Sequence, residues 1–474
     1  MQRRTRIVAT LGPATDTPGV LERLLEAGLD VARINFSHGS GEENKGRIEH
    51  LRQVAGARPI AVLADLPGPK LRALLEAPLP LQAGQKVTLA LRPKVAADIH
   101  LTEPEALARI KTGQRVLLDD GRLQARVGGL SQDRVTLEVE VAGTLLPNKG
   151  INLPDTDLHI PAVTRRDREA IAVALEAGAD WLALSFVRDA AAAHELRGVV
   201  RGHGVDLPIM AKIERPEAVR KSAEIIEAFD GIMVARGDLG VEIALEKVPH
   251  VQKQLIRQAR AAGRPVVTAT DMLDSMRNNP RPTRAEVSDV ANAVYDDTDA
   301  VMLSGETAVG SYPVESLVCM DHILREAEQH CLMEDAPRLL AVPRGELMDH
   351  ITHTVCSLAL DIGAEAVITP TLTGKTARLV ARHRPRFAIV AVSANASVVR
   401  QLSVVWGVRA VPFPFAVQSG DDRLAAAVRA AYVGGAVAVG TLVVVLAGHP
   451  IEGGEGFPTT RVVRVGPDGQ PGEP

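Results

Sequence analysis

Aromatic residues are scarce: seven Phe, three Tyr and two Trp make up 3% of the 474 residues. So few rings exclude a stacking platform for nucleobases. Cysteine is scarcer still. Cys319, Cys331 and Cys356 are odd in number and not in CxxC spacing, which excludes a disulfide framework and a zinc finger and fits a reducing cytoplasm. Neither charge sign dominates: 54 basic against 58 acidic side chains leave a formal charge of −4, which speaks against a general basic nucleic-acid binder. Long apolar runs are nearly absent. Met1-Gln-Arg-Arg-Thr-Arg is basic, but Ile7–Thr10 is too short for a signal peptide. One uncharged stretch, Ala430–Gly448, has membrane-spanning length. Gly434-Gly435 breaks it and Leu442–Leu446 is rich in β-branched residues, so it reads as a helix end, a turn and a buried strand. No membrane and no nucleic-acid partner is expected.

What is present is 46% hydrophobic residues, enough for large cores, in a chain long enough for several domains. Strand Arg6–Thr10, helix Val20–Ala27, strand Val31–Asn35, helix Glu42–Ala55 and strand Ile60–Asp65 form a βαβαβ pattern that predicts parallel strands. From 70 to 161 the pattern changes to short alternating strands, among them Lys86–Leu91, Arg115–Leu118, Leu123–Val127 and Val135–Val141, with turn signals at Asp120-Gly121 and Gly128-Gly129. Helix Arg165–Ala177 then resumes the α/β alternation. Strands Trp181–Phe186, Ile209–Ile213, Gly231–Ala235, Pro265–Thr270 and Ala300–Leu303 follow it. Three strands before the insert and five after it predict a TIM (β/α)8 barrel, residues 1–69 and 162–343, interrupted by a small β-barrel domain, 70–161. After a linker at Leu339–Gly345, a doubly wound α/β domain is expected over 344–474, with a frayed tail after Gly466.

In such barrels the C-terminal strand ends carry the chemistry. Here they read Arg33-Ile-Asn35-Phe-Ser37-His38, Asp65, Ser185, Lys212-Ile-Glu214, Arg236-Gly-Asp238, Thr270-Asp271 and Ser304-Gly-Glu306. Any one could be a cap or a salt bridge. Together, at corresponding positions, they point to a site. Glu214 and Asp238 offer hard oxygen ligands for Mg²⁺ or Mn²⁺. Lys212, Arg33 and Arg72 can neutralise a phosphate in transfer. Gly237 and a helix starting near Asp238 favour a carboxylate.

The motifs Ala9-Thr-Leu-Gly-Pro13, Ala32-Arg-Ile-Asn-Phe-Ser-His-Gly39, Asn148-Lys-Gly-Ile-Asn-Leu-Pro154, Ala211-Lys-Ile-Glu214, Ala235-Arg-Gly-Asp-Leu-Gly240, Pro282–Ala293 and Met302-Leu-Ser-Gly-Glu-Thr-Ala308 resemble those of pyruvate kinases along nearly the whole chain. The resemblance implies a barrel, a mobile lid and a regulatory α/β domain. It implies transfer of the phosphoryl group of phosphoenolpyruvate to ADP, a divalent metal and a homotetramer. By motif position, Lys212 would stabilise the phosphoryl group and the enolate, and Arg33 and Arg72 would bind phosphate. Glu214 and Asp238 would hold the metal. Arg236, Gly237 and Asp238, with Thr270, would seat the pyruvate carboxylate, with Ser304 and Thr270 near the protonation step. Asn35, His38 and Lys149 would lie near the nucleotide phosphates.

Two departures stand out. Of the K⁺ ligands of many family members, Asn35, Ser37 and Asp65 are present, but Leu66 stands at the Thr position and Lys70 at a Glu position. The expectation is that Lys70 replaces K⁺, which is then not required. Asp271 replaces the usual Gln, for no reason the sequence supplies. In the last domain Thr371-Leu-Thr373-Gly374-Lys375-Thr376 resembles a sugar-phosphate effector loop, while the partner segment near His449–Thr460 lacks a Trp/Arg pair of the fructose 1,6-bisphosphate type. A sugar monophosphate or AMP is the expected effector class. A divalent-metal barrel lyase and a catalytically silent metabolite sensor remain the alternatives.

Overall fold

The computed structural model describes residues 3–92, 94–156, 158, 160–333, 339–341, 345–413, 420–447 and 458–474. The eight predicted parallel strands close into a barrel: Arg6–Leu11, Val31–Asn35, Ala61–Leu66, Trp181–Leu184, Ile209–Ile213, Gly231–Ala235, Val266–Ala269 and Ala300–Leu303. Nearly every residue in them is buried, as parallel strands covered on both faces require. Three of the helices between them begin at polar caps. Ser40 with Glu43, Thr164 with Asp167 and Thr283 with Glu286 form reciprocal capping boxes. Gly28, at φ 99°, follows the first helix in a conformation that strains any side chain.

The inserted domain pairs antiparallel in every named ladder. One five-stranded sheet and two two-stranded pairs share a single apolar core. Gly128-Gly129 is not the turn expected there. It lies inside strand Leu123–Leu130, where the register against Arg134–Val141 shifts, because a glycine pair suits a bulge as well as a turn.

The last domain is a six-stranded sheet. Val408–Pro412, Ala388–Ser393, Ala366–Pro370 and Leu442–Ala447 run parallel in that order. Strand Thr459–Val465 adds antiparallel to Leu442–Ala447. The segment after Gly466 is not frayed: a 3₁₀ turn, Pro467–Gly469, brings Pro471–Gly472 back to pair with Arg464 and Val465. The uncharged stretch resolves into the end of helix Gly420–Val433, a turn and strand Leu442–Ala447. Among the described residues no helix is long and apolar enough to cross a membrane. Residues 342–344 of the linker and 449–457 of the effector partner segment lie outside the described residues.

The foot of the barrel and this domain share one apolar cluster. Val8, Leu63, Trp181, Met210, Met233 and Met302 belong to it together with Val355, Ile389 and Trp406. The Trp181 indole N–H donates across the seam to the Gln401 carbonyl at 3.1 Å. That docking leaves the C-terminal strand ends free to face the insert.

Candidate active site

Lys212 is the penultimate residue of the fifth barrel strand, and its ammonium is surrounded by oxygen. Nζ donates to Ser185 Oγ at 2.8 Å and lies 3.2 Å from Asp65 Oδ1 and 3.0 Å from Glu214 Oε1. Burial pulls its pKa down, but Asp65 and Glu214 outweigh burial and hold it above the ordinary lysine value. Asp65 also accepts from Arg33 Nε at 2.7 Å, and the same guanidinium donates to Thr10 Oγ1 at 2.9 Å. Burial favours the neutral form of Asp65, yet Lys212 and Arg33 prevail and keep its carboxyl below its usual value.

Glu214 is fully buried. Its Oε2 accepts from the Phe186 N–H at 2.7 Å, whereas Oε1 carries no hydrogen bond in spite of its closeness to Lys212. Burial raises its pKa. With the Lys212 ion pair as its contact, Oε1 keeps lone pairs free for a further cation. Asp238, in helix Arg236–Glu242, receives Lys70 Nζ on Oδ1 at 3.1 Å. These two carboxylates therefore fit a hard divalent cation. Among the described residues no cluster of three or more His, Cys, Asp or Glu suits a metal, so substrate and water would supply the other positions, as Mg²⁺ commonly arranges.

The helix bearing Asp238 starts at Arg236, two residues earlier than expected, directly after the strand. Thr270 Oγ1 accepts the Gly237 N–H at 2.7 Å, fixing the loop against the seventh strand end. Arg236 turns behind this pair: it donates to the carbonyls of Ala269 and Thr270 and pairs with Asp289 at 2.7 Å. Its guanidinium is thereby committed to the strand end and Asp289. Ser304 Oγ is buried without a hydrogen bond, and its backbone N–H donates to Glu306 Oε2 at 2.7 Å.

Of the anion-binding candidates, Arg72 borders the cleft between barrel and insert. Arg72 donates to the Asn148 carbonyl at 2.9 Å, and Lys149 pairs with Asp119 at 2.8 Å. Asn35 Oδ1 accepts from the Ser37 N–H at 3.1 Å. Burial, then Arg72, Arg33, Arg166 and Lys70, push the His38 pKa down, so the ring is neutral near pH 7. A cleft of 480 Å³ is bordered by Gly68, Lys70, Arg72, Thr102, Arg165 and Arg166. Arg166 was missed in the sequence; it donates to the Ser37 carbonyl at 3.2 Å. Ser185 was read only as a polar strand end, although it holds Lys212. A larger cavity, 730 Å³, lies at the foot of the barrel against the last domain and includes none of these residues.

Lys70 does not join Asn35, Ser37 and Asp65. Arg33 and Lys212 already occupy Asp65, and the Lys70 ammonium instead bridges Asp238 and Asp120, the latter at 3.2 Å. In the last domain Thr371 Oγ1 accepts the Gly374 N–H at 2.9 Å, Thr376 is buried, Thr373 is exposed, and Lys375 lies 3.6 Å from Glu346.

A family model described as pyruvate kinase, barrel domain, matches residues 2–317, and one described as pyruvate kinase, alpha/beta domain, matches 349–463. A pyruvate kinase of Geobacillus stearothermophilus is 42% identical over 461 residues, covering 95% of this chain and 78% of that protein. One from Bacillus licheniformis is 40% identical over 98% of this chain and 80% of its own length. One from Staphylococcus aureus (strain USA300) is 40% identical over 94% and 78% respectively. With both of its main domains matched and relatives this similar along nearly its whole length, the chain belongs to the pyruvate kinase family.

Proposed function

We propose that the chain transfers the phosphoryl group of phosphoenolpyruvate to ADP, giving pyruvate and ATP. The observation that carries this reading is the buried Lys212 ammonium, held by Ser185, Asp65 and Glu214 at the C-terminal end of the barrel strands. A terminal oxygen of ADP attacks phosphorus, the bond to the enol oxygen breaks, and its electrons remain on the enolate. Phosphoryl transfer asks the protein mainly for positioning and charge neutralisation. Lys212, Arg33 and Arg72 supply cations around the moving group. Gly237, Asp238 and Thr270 seat the carboxylate. Asn35, His38, Lys149 and Arg166 border the path of the nucleotide phosphates. Enolpyruvate then takes a proton at carbon, through water near Thr270 and the unpartnered Ser304 hydroxyl.

Glu214 and Asp238 would hold Mg²⁺ or Mn²⁺, which when bound neutralises oxygen charge on substrate and enolate. K⁺ is not required, since Arg33 and Lys212 already compensate Asp65, the one charged member of the remnant monovalent set. A sugar monophosphate or AMP is the effector at Thr371–Thr376, a loop that follows strand Ala366–Pro370 where the order of the sheet reverses. The working form is a cytoplasmic homotetramer. Release of pyruvate from phosphoenolpyruvate and ADP, coupled to a dehydrogenase, tests the reaction. Substituting a bulky inert cation for K⁺ should leave the rate within about twofold, whereas a loss of tenfold or more (about 1.4 kcal/mol in the barrier) would remove the K⁺ reading and leave the reaction standing.

A further inference from the structure

Lys70 sits where the chain passes from the third barrel strand into the inserted domain, and its surroundings give it a task other than standing in for K⁺. Its Nζ lies 3.1 Å from Asp238 Oδ1 on the barrel and 3.2 Å from Asp120 Oδ1 on the insert. The ammonium also lies 5.9 Å over the Phe186 ring, a favourable place for a cation. The slot is shaped to the side chain: a Cβ on Gly150 would stand 2.9 Å from Lys70 Cε and 3.0 Å from Asp120 Oδ1.

Around this point the insert rests on helix Arg236–Glu242. A Cβ on Gly121 would meet Val241 Cγ1 at 3.4 Å, and Asn152 Nδ2 donates to Glu242 Oε1 at 2.7 Å. Without Lys70, the carboxylates of Asp120 and Asp238 would face each other across the seam with no cation between them. Like charges so placed repel, and Glu214 stands on the same side.

We infer that Lys70 is a positioning residue: it clamps the lid onto the barrel and fixes the Asp238 carboxylate through one oxygen before any metal is bound. Closure of the lid in this chain is thereby independent of metal. The clamp itself stands apart from the proposed reaction, and only its metal arm rests on reading Asp238 as a ligand.

The test is amide hydrogen exchange on the full-length chain, without substrate, nucleotide or K⁺, following residues 115–124 and 148–153. In the parent, exchange there is slow and Mn²⁺ leaves it unchanged. In Lys70→Met the same segments exchange faster by roughly tenfold or more, the order expected for losing charge-assisted bonds, while the barrel strands exchange as before. Mn²⁺ then slows the variant toward the parent rate, because a metal on Asp238 replaces the missing cation. Asp120→Asn, which leaves the barrel untouched, also accelerates the lid, and the double variant is no faster than Lys70→Met alone. Parent-like exchange in both Lys70→Met and Asp120→Asn would overturn the clamp. Acceleration that Mn²⁺ does not reverse would overturn the role of Asp238 in it. Neither readout involves turnover, so an inactive enzyme with a metal-sensitive lid would sink the proposed reaction and not the clamp.

Discussion

Ser185 shows how much a single hydroxyl contributes to a buried cation. It accepts from Lys212 at 2.8 Å and donates to the Leu66 carbonyl at 2.7 Å, so it orients the ammonium against the rim of the barrel. Ser185→Ala should lower kcat by about tenfold to a hundredfold, the cost of one hydrogen bond to a charged group, with little change in KM for phosphoenolpyruvate. Lys212→Met should cost on the order of a thousandfold or more in kcat. Steady-state kinetics on the two variants decides this; a Ser185→Ala effect confined to KM would contradict the orienting role. Lys212, Glu214 and Asp238 were legible in the sequence because charge at the end of an apolar strand has no structural use. Arg166 was not, because Thr164-Arg165-Arg166-Asp167 reads as an ordinary capping box and nothing local says which side of the helix start faces the cleft. Lys70 was legible as a departure but not in its partners, which come from two separate domains.

At the scale of elements, three residues that follow barrel strands leave in the left-handed region: Phe186 at φ 56°, Thr270 at φ 68° and Asp271 at φ 54°. Such backbone is costly for a side chain and clusters where a loop must turn sharply over a site. This gives Asp271 an account that the sequence alone lacked, since Asp tolerates this conformation better than most residues. Asp271→Gly should therefore stabilise the protein by about 1 kcal/mol with activity retained. A thermal midpoint that falls would show that the carboxylate has a use the backbone does not explain. The eight barrel strands were legible from their apolar runs, and their ends shifted by one or two residues at most. Strand Thr459–Val465 escaped notice because its first three residues are exposed and Arg461 and Arg464 interrupt its valines, although five of its seven residues are β-branched.

Across the whole molecule, the barrel foot and the last domain form one body, and the seam holds a buried histidine. His383 is almost fully buried, stacks edge-on against His353 at 5.5 Å and has no hydrogen bond at either ring nitrogen. Burial, then Arg382, His353 and Arg260, push its pKa down to about 3, with Asp349 pulling the other way. The folded value lies below the unfolded value of about 6.5, so the unfolded chain binds the proton first as pH falls. Stability from this group is full above about pH 6.5 and drains by about 1.4 kcal/mol per pH unit toward the folded value. His383→Leu should flatten that acid limb, read as urea midpoints between pH 7 and 4; an unchanged slope would assign the limb to other groups. The six-stranded sheet has a further consequence, for solubility. A sheet with a bare flank is a template for other chains. Here one flank ends in Pro471–Gly472, a strand of two residues whose proline has no N–H to offer. What reads in the sequence as a frayed Pro/Gly-rich tail is a stopper that denies a second molecule the ladder on which to add.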